Sequence, residues 1–259
     1  MSSGGFQLVV HQWVQTSATS NLLVVHGFLD HTGLFSHLID YGLQHNCNVV
    51  CFDLPGHGLS SGEATSIDDF GQYSQAIADV LAALELADLP WWAMAQSTGC
   101  AALIDFAPKH PWPFVATVLL APLIRPAAWN RMRVSYALLN RFIKTVKRTF
   151  VVNSGDAEFL AFLQSDPLQS HRISIKWVGA LRLWLADLVF SDLGVGPALV
   201  VQGDADGTVD WRYNMQHITT LFPHSQIEYL DGAGHQLANE TLECRSQYLA
   251  KVGSYVGLA

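Results

Sequence analysis

A serine hydroxyl attacks a carbonyl only where the chain exposes it and a base takes its proton. Ser97 meets the first condition on sequence grounds: the apolar run Trp91-Trp92-Ala93-Met94-Ala95-Gln96 precedes it, and helix-forming Ala101-Ala102-Leu103-Ile104 follows. Such a strand, tight turn and helix would present the hydroxyl at the carboxyl edge of a sheet, with the following amides turned toward any oxygen beside it. Small Ala95 and Gly99, two residues to either side, leave room for strand and helix to converge. Residues for the second condition lie far downstream. Gly203-Asp204-Ala205-Asp206-Gly207-Thr208-Val209-Asp210 offers three carboxylates after an apolar run, and Gly232-Ala233-Gly234-His235 offers an imidazole after another. Upstream, His26-Gly27-Phe28 ends a further apolar run, and glycine there lets backbone amides approach an anion closely.

Those loops need a frame. The short β-rich runs Leu22–His26, Asn48–Asp53, Trp91–Gln96, Phe114–Leu120, Ala198–Gln202 and Gln226–Leu230 alternate with stretches of helical spacing or helix-forming residues at 34–44, 70–86, 101–104, 211–221 and 239–256. A strand pair is expected at Phe6–Val10 and Trp13–Val14. Alternation of this kind predicts an α/β fold, a mostly parallel sheet with helices on both faces. Chemistry in such sheets gathers in the loops after the strands' carboxyl ends, where Ser97, the three aspartates and His235 all fall.

The chain has 259 residues, 50% of them hydrophobic and 14% charged, which excludes a disordered polymer and suits one large domain. No basic leader with a long apolar run and no stretch of 18 apolar residues is present, so a cytoplasmic protein is expected. Cys47, Cys51, Cys100 and Cys244 are scattered without a CxxC pair, and are expected as reduced thiols. Eleven histidines show no ligand spacing, so no metal is expected. The net charge of −8 argues against a nucleic-acid partner. That average hides an asymmetry: ten of the fourteen basic residues but only four of the twenty-two acidic ones lie between Pro122 and Ser191.

Taken together, Ala95-x-Ser97-x-Gly99, then an aspartate, then His235, each after a strand, resembles the α/β-hydrolase superfamily. The resemblance selects Asp206, through Gly203-x-x-Asp206-x-x-Val209, and leaves Asp204 and Asp210 out of register. It implies a catalytic Ser97–His235–Asp206 triad, an oxyanion hole formed by the backbone amides of Phe28 and Thr98, and an acyl-enzyme intermediate with water as second reactant and no cofactor. Asp53 and His57 of Gly56-His57-Gly58-x-Ser60 are expected to be structural, and His26 to orient by hydrogen bonding. His26-Gly27-Phe28-Leu29-Asp30-His31 and Phe52-Asp53-Leu54-Pro55-Gly56-His57-Gly58, with Asp166-Pro167-Leu168, are similar to the monoacylglycerol lipase and lysophospholipase branch. Departures from that branch are Ala95, Gln96 and Thr98 around the serine, and Leu29-Asp30 in place of a Gly-Glu pair. The implied substrate is an ester of a hydrophobic acyl chain. A thioesterase, a C–C bond hydrolase, an acyltransferase or a binding protein of low turnover would share the same residues.

The segment 123–191 interrupts the alternation and is expected to be a helical cap inserted after the sixth strand, between core segments 1–122 and 192–259. From Val134 to Phe150, steps of 100° gather Leu138, Leu139, Phe142, Ile143 and Val146 on one side and Arg133, Arg141, Lys144, Lys147 and Arg148 on the other. This basic amphipathic helix either packs its apolar face on the core or lies on an anionic membrane. His26, Gln96, Leu138 and Phe142 are the expected substrate contacts.

Overall fold

The computed structural model describes residues 1–257. An N-terminal ribbon pairs β1 (Ser2–Ser3) with β2 (Phe6–Gln7). The central sheet contains β3 (Val10–Trp13), β4 (Ser20–Val25), β5 (Cys47–Phe52), β6 (Trp91–Gln96), β7 (Phe114–Leu120), β10 (Leu199–Gly203) and β11 (Gln226–Leu230), in spatial order β11-β10-β7-β6-β4-β5-β3. Only β3 is antiparallel, against β5. The remaining strands are parallel; the inner ones, buried on both sides, read as near-continuous apolar runs, whereas the edge strand β11 mixes polar and apolar residues.

Alternate side chains divide the core. Leu23, Val25, Ala93 and Ala95 join the cluster that includes helices α2 (Gly71–Ala83), α3 (Thr98–Phe106) and α7 (Trp211–Leu221). Leu22, Val24, Trp92 and Met94 join that of α1 (Ser36–Gln44) and α8 (Leu242–Val256). Cys47, Cys51, Cys100 and Cys244 are all free thiols.

The N-terminal pair differs from expectation. Phe6–Gln7 pairs back on Ser2–Ser3, and only Val10–Trp13 reaches the main sheet. The insertion accordingly leaves after β7, the fifth strand of that sheet in chain order.

Between β7 and β10 the chain forms α4 (Trp129–Leu139), α5 (Ala157–Ser165), α6 (Ile175–Asp187) and a ribbon of β8 (Thr145–Lys147) with β9 (Arg172–Ser174). The continuous helix expected from Val134 to Phe150 is absent, because α4 ends at Leu139 and Thr145–Lys147 is extended. β-Branched Thr145 and Val146, paired with Ile173 and Ser174, satisfy their backbone groups across the ribbon instead of along a helix.

Candidate active site

Ser97 closes β6 with φ 52° and ψ −113°, a conformation that costs a non-glycine residue on the order of 1–3 kcal/mol. Surrounding contacts impose it. The Ser97 amide donates to Leu120 O of β7 at 2.9 Å, and Ser97 O accepts from Leu123 N at 3.2 Å and from Cys100 N at 3.0 Å. Gly99 is needed for the close crossing that follows, since a Cβ there would stand 2.4 Å from Val25 O and 2.8 Å from His26 O. Ala95 is wholly buried between Val25 and Leu119 of the adjoining strands, so a methyl fits where the more usual motif has glycine.

The turn aims Ser97 Oγ at His235 Nε2, 2.9 Å away. The other imidazole nitrogen, Nδ1, donates to Asp206 Oδ2 at 2.7 Å. Asp206 sits after β10 and is held on several sides: Oδ1 accepts from Thr208 N at 2.8 Å and Val209 N at 3.1 Å, and Oδ2 from Gln202 Nε2 at 3.1 Å. Burial opposes its ionisation, but the neighbouring imidazole and these amides outweigh burial and hold the carboxyl below its ordinary range. Of the other two aspartates, Asp204 accepts from Gly232 N, while Asp210 caps α7 and pairs with Arg125.

Two amides border the serine. Phe28 N–H makes no hydrogen bond among the described residues. Thr98 opens α3, where helix geometry leaves an amide without an intrahelical acceptor. The Phe28 ring stacks on Trp177 of α6, centroids 4.0 Å apart, and meets His57 edge-on at 5.5 Å. One face of this loop is thereby clamped by the inserted segment.

A cavity of about 240 Å³ opens over Ser97 and His235, with Phe28, Leu123, Met132 and Val178 among its walls. It has no acidic lining residue among those described, and its one lysine or arginine is Arg148. The guanidinium lies over the Phe150 ring at 4.4 Å and donates to Gln169 Oε1. No carboxylate oxygen stands within 4.0 Å of it among the described residues.

The four expected substrate contacts do not line this cavity. His26 is fully buried beneath it: Nδ1 donates to Gly27 O at 2.8 Å and Nε2 accepts from Leu54 N at 2.9 Å, so the ring orients a loop. Desolvation, reinforced by His57, lowers its pKa to about 3. Gln96 is likewise sealed behind the serine. Leu138 and Phe142 are 69% and 83% exposed, because the helix meant to carry both ends between them. Asp53 accepts from Thr32 N and Leu59 N, the structural part expected of it, and His57 Nδ1 donates to Pro55 O.

Sequence reasoning missed Trp177, Arg148 and Gln236 of the cavity wall, and the buried pair His31 Nε2–Asp166 Oδ2 at 2.7 Å. Both partners of that pair lie in stretches with a family resemblance, but nothing in the sequence says that they meet across 135 residues.

Known proteins agree with this architecture. A monoglyceride lipase homologue of monkeypox virus is 25% identical over 91% of this chain and 88% of its own length. The mouse monoglyceride lipase is 26% identical over 99% of this chain and 88% of its own. Among solved structures, a soluble variant of the Saccharomyces cerevisiae monoglyceride lipase with a substrate analogue superposes with a TM-score of 0.83 at 19% identity, covering 99% of this chain and 92% of that one. The description "serine aminopeptidase, S33" of the Hydrolase_4 family matches residues 16–242, and the chain therefore belongs to that family of α/β-hydrolases.

Proposed function

We propose that the protein is a carboxylic ester hydrolase acting on hydrophobic acyl chains of the monoacylglycerol or lysophospholipid type. The observation that carries this is the unbroken chain Ser97 Oγ–His235–Asp206, with steps of 2.9 and 2.7 Å, opening on an apolar cavity. His235 removes the Ser97 proton as Oγ attacks the ester carbonyl, and Asp206 stabilises the imidazolium that results. Amides of Phe28 and Thr98 receive the developing oxyanion, a service whose loss costs about 100- to 1,000-fold per donor. His235 then protonates the departing alcohol, and activates the water that frees Ser97 from its acyl ester.

The family description names a peptidase, and the cavity argues against that substrate here. An aminopeptidase must hold an α-ammonium. This cavity would give that group no acidic wall and has Arg148 as its one lysine or arginine, and an unpaired buried charge costs several kcal/mol.

Segment 123–191 serves in this reading as the cap that shapes the acyl site over core segments 1–122 and 192–259. Exposed Leu138 and Phe142, with Arg141 and Lys144 beside them in sequence, suit peripheral contact with an anionic bilayer. No described helix is long and apolar enough to cross one. The free thiols fit a reducing compartment such as the cytoplasm.

An alkyl fluorophosphonate tests the mechanism. It should label Ser97 rapidly in the wild type and not in Ser97→Ala, and a panel of p-nitrophenyl esters, monoacylglycerols and lysophospholipids should be cleaved only by the labelled form. Folded wild-type protein that resists labelling would sink the proposal.

A further inference from the structure

Two of the places where this chain departs from its branch around the reaction centre, Gln96 and Leu29-Asp30, are joined in space by Gln236, the residue after His235. Gln236 Nε2 donates to Asp30 Oδ1 at 2.9 Å, and Gln236 Oε1 accepts from Gln96 Nε2 at 2.6 Å. Gln96 Oε1 in turn accepts from Ala238 N at 2.8 Å. All three side chains are buried. The chain thus begins two residues after the Phe28 amide, passes the residue following the base, and ends at the residue preceding the nucleophile.

Leu29, between Phe28 and Asp30, has φ 67°, in the left-handed region where a branched side chain is strained by about 1–2 kcal/mol. Its turn is closed by one long backbone bond, Asp30 N to Gly27 O at 3.2 Å. On the far side of Asp30, the His31–Asp166 pair ties the loop to the inserted segment. The direct restraint on Asp30 itself is the Gln236 carboxamide. Gly27 is bracketed by the same groups: a Cβ on it would lie 2.8 Å from Asp30 Oδ2 and 3.2 Å from Ser97 Cβ. Asp30 therefore packs directly against the peptide that leads into the Phe28 amide. Without Gln236, the Gly27–Asp30 turn that carries the Phe28 amide would lose its side-chain restraint and keep the one long backbone bond.

We propose that Gln236 is a positioning residue for the oxyanion hole: by donating to Asp30 while accepting from Gln96, it holds the strained Leu29 turn so that the Phe28 amide points at the carbonyl attacked by Ser97. The role requires a side chain that donates at one atom and accepts at the other, which a carboxamide does. It rests on the Ser97 mechanism proposed above.

The test exploits the polarity of one hydrogen bond. Gln236→Glu keeps the acceptor for Gln96 but sets a carboxylate against Asp30. Adding Asp30→Asn restores a donor–acceptor pair with its direction reversed. Full-length wild type, Gln236→Glu and the Asp30→Asn/Gln236→Glu double variant would be compared at pH 8 on a p-nitrophenyl ester. Active sites are counted by fluorophosphonate titration and melting temperatures recorded alongside. Gln236→Glu is expected to lose about 10- to 100-fold in kcat per titrated site with little change in KM, and the double variant to recover most of it. Affinity for an alkyl trifluoromethyl ketone, which mimics the oxyanion, should fall in parallel. Should Gln236→Glu not fold, Gln236→Met removes both bonds without burying a charge and carries the same expected kcat loss.

Unchanged kcat per titrated site, whatever the melting temperature does, would overturn the assignment. So would a double variant as slow as the single one. Wild type that turns over the ester but fails to label at Ser97 would instead overturn the mechanism beneath it.

Discussion

Asp30 and Asp206 are buried carboxyls near one serine, and their surroundings push them in opposite directions. The imidazole and hydrogen bonds hold Asp206 low against burial, whereas burial raises Asp30 against the counteracting Gln236 amide. The consequences for stability have opposite signs. Asp206 adds stability above the unfolded carboxyl pKa that is lost as pH falls through its depressed value. Asp30, raised in the fold, is most favourable when protonated, and its contribution declines as pH rises from the unfolded pKa through the raised one. Asp30→Asn keeps an acceptor for Gln236 and removes this penalty. The melting temperature of Asp30→Asn relative to wild type should therefore be higher at pH 8 than at pH 4.5, as differential scanning fluorimetry can measure. At this scale the sequence was legible where chemistry needs a residue type in a stated order, as for Ser97, Asp206 and His235, which the structure brings into hydrogen-bonded contact. It was illegible where a residue matters through a partner. Gln236 is one of many polar loop residues until Asp30 and Gln96 are seen on either side of it.

Among the elements, the inner strands are legible because two-sided burial writes itself as apolar runs: Trp91–Gln96 and Phe114–Leu120 have the bounds expected of them, and so does the half-exposed edge strand Gln226–Leu230. The inserted segment was misread because helical spacing over Val134–Phe150 says nothing about a partner strand 27 residues further on, and the pairing of Val146 with Ile173 overrides it. Its fastening is also long-range. Trp184 Nε1 donates to Asp105 Oδ1 at 3.1 Å, Ser174 N to Thr65 Oγ1 at 2.9 Å, and His31 pairs with Asp166. Removing one partner of a buried charged hydrogen bond costs about 1–3 kcal/mol, so Asp166→Ala should lower the melting temperature by several degrees. Asp166→Asn, which can still accept from His31, should lower it less. Equal melting temperatures for Asp166→Ala and wild type would show that the pair does not fasten the segment.

At the scale of the whole molecule the charge is polarised. The segment from Pro122 to Ser191 carries +6 and the remainder −14. Phe142 stands exposed between Arg141 and Ile143 on that basic side. Binding to vesicles should therefore rise with their anionic lipid content and weaken with salt, because exposed charges are screened within about 10 Å at 0.1 M ionic strength. Phe142→Asp should reduce sedimentation with anionic vesicles several-fold while leaving hydrolysis of a water-soluble short-chain ester intact, since Phe142 lies outside the cavity wall. Binding insensitive to lipid charge would remove the membrane from the proposal.

One small feature sets terms for exchanging parts. The backbone of Ser97 is bonded both to the last residue of β7 and to Leu123, the first residues of the path into the inserted segment. Ser97, the proposed nucleophile, is thus anchored to the doorway of the insertion and not to its body. A lineage that traded the residues between Ile124 and Ser191 for another covering would keep the backbone anchor of Ser97, but the new covering would have to replace the contacts that Trp177, Asp166 and Asn153 make with the Phe28 loop and with Gln236. Chimeras spliced after Leu123 should retain fluorophosphonate labelling, whereas those spliced before Leu120 should lose it.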